Sequence, residues 1–204
     1  MNFLSAVILV LFYASSASTS ELSAEKKTFI DTLNKDRQEV GKRAGEKMNV
    51  LTYDPNLEKL IPDTKCEYTT TMFLRSNDIA KQSYDSGRYT VDSVQSLLFF
   101  TPTAKTIACS KSYKCSVKLQ KGNTDKEELI GKEVVYRGIC ILKENREIIP
   151  FHVQDKLDKA GMTPISKYAD ILGVPNIDGS LPSQGSAAGT IQSLIIAFFL
   201  VFYI

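Results

Sequence analysis

Four cysteines, one histidine and no tryptophan set the limits of the chemistry open to this chain. Cys66, Cys109, Cys115 and Cys140 contain no Cys-x-x-Cys pair, and His152 stands apart from all four. A structural zinc site needs several such ligands at close spacing, so no metal is expected on these residues. An even number of cysteines in an oxidising compartment points instead to two disulfides, and four cysteines permit three pairings. Nucleophilic catalysis needs a serine or cysteine beside an oriented base, which a single distant histidine does not provide. Neither a Gly-x-Ser-x-Gly elbow nor a phosphate-binding loop is present. Glu127, Glu128, Asp31 and Asp36 fall on loop-like or solvent-facing patterns, where solvation is the expected role. The expectation is a protein that is not an enzyme, carries no cofactor, and uses His152 as a structural or surface residue.

The ends of the chain carry a different message. Every charged residue lies between Glu21 and Asp178. The apolar run 6–12 is shorter than the roughly 20 residues needed to span a bilayer and leads into small residues. Residues 1–17 therefore read as a secretory signal, with cleavage after Ala17 or Ser18. At the other end, residues 190–204 are nearly all apolar and hold no Lys or Arg. A small-residue site, a polar spacer and such a tail make a lipid-anchor signal. Ser186 offers the best local chemistry, and Ser183 the better spacer. A membrane-spanning helix is the rival, though it would be short and lacks a positive flank. The expected address is the extracellular face of the plasma membrane, reached by secretion and held by a glycosylphosphatidylinositol anchor.

Between the ends lie about 160 residues, the size of one domain. With 25 basic and 23 acidic residues the balance is too even for a nucleic-acid footprint, so no nucleic-acid partner is expected. Lys26-Lys27 and Lys42-Arg43 read as solvated helix faces. No Asn-x-Ser/Thr glycosylation acceptor occurs.

The elements that must position these residues follow from periodicity. Phe29, Ile30, Leu33 and Val40 recur at three- and four-residue steps, predicting an amphipathic helix from Ser23 that ends at Gly41 and Gly45. Asp54 is placed to cap a helix whose first position is Pro55, with Pro62 stopping it. Residues 66–74 are rich in strand formers, 104–118 and 134–142 read as strands, and 122–128 as a loop. The apolar run 96–100 is buried but of open type. Residues 153–160 and 165–172 read as short helices, and 175–189 as a flexible stalk.

Three segments, in order, resemble the CAP superfamily of cysteine-rich secretory, antigen five and pathogenesis-related proteins (the SCP domain). Leu33-Asn34-Lys35-Asp36-Arg37 resembles the family's His-Asn-x-x-Arg element. Met48-Asn49-Val50-Leu51-Thr52-Tyr53-Asp54-Pro55-Asn56-Leu57 resembles its Met-x-x-Leu-x-Trp-Asp-x-x-Leu. Thr106-Ile107-Ala108-Cys109, then Cys115, then Gly138-Ile139-Cys140-Ile141 resemble its later cysteine-bearing strands. The likeness covers residues 24–145, leaves 146–174 as a C-terminal extension, and is nearest in style to divergent nematode members.

The resemblance implies an α+β fold, a three-layer α-β-α sandwich around a central antiparallel sheet. It also implies the pairings Cys109 with Cys140 and Cys66 with Cys115. Many family members hold a divalent metal on two cleft histidines and two acids. Here Leu33 replaces the first histidine, only Gln95 survives of the segment that carries the second, and His152 lies outside the likeness. The implied function is a non-catalytic, cell-surface binding module for an extracellular protein partner. Tyr84, Arg88 and Tyr89 are the candidate contact residues, since Tyr and Arg are favoured at interface hot spots. The alternative is a lipid or sterol carrier, with Leu97, Leu98, Phe99 and Phe100 as candidate groove residues.

Overall fold

Residues 22–61, 66, 71–84, 90–122, 124–143 and 149–182 are described in a computed structural model of the chain. The expected signal segment, Ser183, Ser186, the apolar tail, Arg88, Tyr89 and Pro62 lie outside the described residues. Tyr84 closes a helix, but its side chain lies outside them too.

The first helix, α1 (Ala24–Ala44), starts at Ser23, whose side chain accepts the Lys26 N–H, and ends at Gly45 with φ 68°. Its buried stripe is Phe29, Ile30, Leu33, Arg37, Val40 and Gly41. Gly41 does not end the helix as its type predicts. It lies inside α1 because the chain doubles back over it: a Cβ there would stand 2.6 Å from Met48 Cγ and 2.7 Å from the Glu46 carbonyl.

β1 (Thr52–Tyr53) follows, then α2 (Pro55–Glu58), which Asp54 caps by accepting the Asn56 N–H at 2.8 Å. β2 (Thr71–Ser76) leads into α3 (Asp78–Tyr84) and α4 (Val91–Phe99). A reciprocal Thr90–Ser93 capping box opens α4 and makes a helix of the apolar run whose type was open. β3 (Thr106–Lys118) and β4 (Glu133–Leu142) flank a 3-10 turn at Glu127–Leu129, which overlaps the end of the expected loop. α5 (Phe151–Ala160) and α6 (Ile165–Ile171) complete the order.

The four strands form one sheet in the order β1-β3-β4-β2. β3–β4 and β4–β2 are antiparallel, but β1 runs parallel to β3, so the sheet is mixed rather than wholly antiparallel. The physical reason is the long crossover. β1 and β3 are joined through three helices and a strand, a connection long enough to return the chain in the same direction.

Strand alternation divides the core in two. Met72, Leu74, Ile107, Cys109 and Cys140 join α1, α4, α5 and α6 in one cluster. Phe73, Ala108, Val134, Tyr136 and Ile139 join Leu57, Ala80 and Leu129 in the other, where Phe73 and Tyr136 stack at 4.1 Å between ring centroids. Val153, Leu157, Ile165, Tyr168 and Ala169 belong to the first cluster, so the core runs through the boundary drawn at residue 145. Within the segment expected as a stalk, Asn176 and Ser180 close a hydrogen-bonded turn, onto whose Ile177 carbonyl Arg137 donates at 3.1 Å.

Two disulfides lock the sheet, Cys66–Cys115 and Cys109–Cys140, the pairing that the family resemblance implies. They span 49 and 31 residues of chain. In the chain-entropy picture loops of this size each stabilise by about 4 kcal/mol.

β4 bends at Gly138, which has φ 62° and sits where the β3–β4 register shifts between Ser110 and Lys114. A Cβ at Gly138 would lie 2.7 Å from Val174 Cγ1. Gly138→Ala therefore combines left-handed backbone strain with a clash against a packed core residue. It is expected to lower stability by ~2–4 kcal/mol, read as a shift of the denaturant midpoint at unchanged slope.

Candidate functional site

The residues that carry the sequence motifs converge on one face of α1. Asn34, Arg37 and Gln38 are three and four residues apart, so they share a face. Asn34 donates from Nδ2 to the Leu51 carbonyl at 2.9 Å and accepts the Leu51 N–H at 2.8 Å. Gln38 donates to the Met48 carbonyl at 3.1 Å. Together they fasten the 48–51 segment along the helix.

Arg37 reaches deepest. Its side chain is 0% exposed and has no carboxylate partner among its hydrogen bonds. Its guanidinium donates to the carbonyls of Phe99, Thr101 (3.0 Å) and Asn49 (3.1 Å). Phe99 is the last residue of α4, so the cation sits where that helix's unpaired carbonyls collect partial negative charge. Burial pushes its pKa down to about 10, which still leaves it charged at neutral pH. Its Nε has no hydrogen-bond partner among the described residues. Six residues on, Arg43 repeats the device at the surface, donating to Ala160 (2.8 Å) and Gly161 (3.0 Å) at the C-terminus of α5. Lys42-Arg43 is thus not merely a solvated face.

Beside Arg37, Asp36 accepts from Lys167 Nζ and the Tyr168 hydroxyl, both at 2.8 Å. Burial alone would raise the Asp36 pKa, but the Lys167 and Tyr168 hydrogen bonds outweigh it and hold the carboxyl below its ordinary value. Burial, with the Asp36 bond second, pushes the Tyr168 hydroxyl the other way. Asp36 is therefore an interhelical tie between α1 and α6 rather than a solvated acid.

Tyr53 serves the sheet. Cys109 and Cys140 face each other at 4.0 Å between Cα atoms, the spacing of a pair without mutual backbone hydrogen bonds. The Cys109 N–H and C=O then point toward β1, which is already at its last residue. The Tyr53 hydroxyl accepts that N–H at 3.1 Å and shares its proton between the Cys109 carbonyl (2.7 Å) and Glu58 Oε2 (2.9 Å). Lys26 pairs with the same Glu58. Burial raises the Tyr53 pKa, so the phenol stays protonated.

Of the other sequence candidates, Leu33 is a core side chain, and Gln95 turns inward to accept the Phe73 N–H at 2.8 Å, capping a donor of edge strand β2. Phe99 and Phe100 are fully buried core, and Leu97 and Leu98 pack against it, so these four do not form a groove wall. The residues that follow them do line an opening. Thr101, Pro102 and Thr103 meet Ile149, Pro150 and Val153, with Glu46 at the side, around a notch of about 180 Å³. Phe151, 77% exposed, stands next to it in sequence, as does exposed His152. Neither the notch nor the buried position of Arg37 was singled out from sequence. The signal for Arg37 was its place in the apolar stripe, four residues after Leu33 and three before Val40.

Among the described residues, no group of three or more His, Cys, Asp and Glu side chains is arranged to hold a metal ion. None of their helices is long and apolar enough to cross a membrane.

Two variants test this account. Arg37→Met should leave three backbone carbonyls without their donor and lower stability by about 3 kcal/mol or more, measured by denaturant unfolding. Asp36→Asn should flatten the acid limb of stability. Because the folded pKa is depressed, the wild-type contribution is complete above the unfolded value near 4 and disappears as pH falls through the folded one. Unfolding midpoints at stepped pH below 5 read the difference.

Comparison with family models, with characterised proteins and with solved structures finds no match.

Proposed function

We propose that this chain is a secreted, non-catalytic binding module of CAP type that presents a rigid surface to an extracellular protein partner. In this reading the fold is a three-layer α-β-α sandwich: α1, α4, α5 and α6 cover one face of the sheet, and α2, α3 and the 3-10 turn cover the other. A C-terminal lipid anchor at Ser186 or Ser183 holds the module on the outer face of the plasma membrane.

One observation carries the reading. The polar residues that could have equipped a cleft are committed to backbone: Asn34 to Leu51, Arg37 to Asn49, Phe99 and Thr101, and Gln95 to Phe73. Side chains used this way fix the scaffold and leave recognition to its surface. Phe151, 77% exposed and next in sequence to the notch residue Pro150, fits the part of an interface anchor. Tyr84, Arg88 and Tyr89 remain the second candidate surface.

The lipid-carrier reading asks more of the notch than its size offers, since ligand pockets run to roughly 300–1,000 Å³. Native mass spectrometry of the secreted protein, before and after denaturation, separates the two. A monomer with two disulfides and no adduct is the expected result. A lipid that leaves only on denaturation would overturn the protein-partner reading. Phosphatidylinositol-specific phospholipase C on intact cells should release the protein; a retained chain still carrying residues 190–204 would reject the anchor.

A further inference from the structure

Sheet register gathers side chains that the sequence scatters. Arg75 of β2 lies directly opposite Arg137 of β4, and Arg137 directly opposite Lys114 of β3. Directly paired residues point to one face of a sheet, so three cations form a row across three adjacent strands, about 10 Å long at ordinary strand spacing. Like charges placed opposite one another destabilise a sheet. The row is answered from within at one end. Asp170 pairs with Arg75, and Arg137 donates to the Ile177 carbonyl with Asp178 in its field. At the other end Lys114 is exposed and has no ion pair among the described residues.

The charge extends along β3. Lys118, four residues on and on the same face, lies opposite Glu133, and exposed Lys111 precedes Lys114 with Glu25 as its partner. The arginine end opens onto a cleft of about 230 Å³, where Arg75 and Lys81 face the carboxylate of Asp92 among polar and apolar residues, so this end is balanced in charge. None of these residues lines the notch beside Phe151.

We propose that the exposed end of this row, Lys118 and Lys114 with Arg137 beside them, binds a linear sulfated polysaccharide, while Arg75, 15% exposed and paired with Asp170, holds the row from within. Three features select that class. The site is a line of cations on a strand surface, matching a polyanion that lies along it. Sulfate is permanently ionised and accepts from guanidinium and ammonium donors alike. The row also lacks the exposed aromatic anchors of a protein hot spot and the apolar groups that insert into a lipid surface. Two disulfides suit the oxidising compartment where such polysaccharides occur.

The test is elution of the secreted protein from immobilised heparin and from a sulfopropyl exchanger. Both are run for wild type, Lys114→Gln/Lys118→Gln, and a control pair of equal charge change at exposed positions, Lys105→Gln/Lys159→Gln. Wild type is expected to leave heparin at clearly higher salt than the exchanger. The first pair should remove most of that difference, and the control pair little of it. Equal elution from both resins, or equal losses in both pairs, would overturn the proposal by reducing retention to net charge. Retention on phosphatidylserine vesicles without retention on heparin would overturn it in favour of a membrane surface.

Discussion

A buried guanidinium whose hydrogen bonds go to backbone carbonyls and not to a carboxylate is an unusual thing to build around, yet Arg37 joins the three segments on which the larger core depends. It emerges from the middle of α1, takes the end of α4 through Phe99 and Thr101, and takes the 48–51 segment through Asn49. Desolvation of the charge opposes this arrangement. Three carbonyl acceptors offset it, two of them at a helix C-terminus where the field favours a cation. Because a guanidinium is a planar fork with several donors, it can hold separate segments in one geometry, which an ammonium would do less well. Asn34 and Gln38 then fix the 48–51 segment in register with α1, and Gly41 lets the returning chain cross closely enough to be fixed.

The sheet has a parallel dependence on substitutes for missing strand. β1 is two residues long, and the β3 groups just beyond it would lose their partners. The Tyr53 hydroxyl stands in for the absent residue at Cys109, and Gln95 does the same for Phe73 at the opposite edge. The Cys109–Cys140 disulfide lies directly between these devices, crossing β3 and β4 within the core. Gly138 then bends β4 so that Val174 can pack on it, which draws the chain after α6 onto the sheet.

With motif residues committed to the scaffold, the proposed binding role rests on surfaces that the scaffold positions. The notch is lined by Pro102, Ile149, Pro150 and Val153 together with two threonines and Glu46, whereas the Lys114–Arg137–Arg75 row is cationic, and they share no residue. A disulfide-locked domain suits such a role because loops held by a rigid frame lose little freedom on contact.

Much of the secondary structure was legible because it depends on local chemistry. Ser23 and Gly45 bound α1, Asp54 and Pro55 open α2, and the β-branched and aromatic residues of β3 and β4 mark strands, all within a few residues of chain. Gly41 shows the limit. Its type reads as a helix stop, but its meaning is a close approach by Met48, which no local pattern contains. The same holds for Asp36, polar by composition but tied to a helix 131 residues away, and for Phe99 and Phe100, whose run of apolar residues is compatible with a groove or a core. Composition and spacing alone set the expectation that the cysteines pair, with neither a Cys-x-x-Cys pair nor a Gly-x-Ser-x-Gly elbow in the sequence. Tertiary structure decided that Arg37 is buried, that β1 runs parallel to β3, and that three distant cations stand in one row. Those outcomes depend on strand register and on which segments meet across the core, and register is a property of paired segments rather than of any one of them.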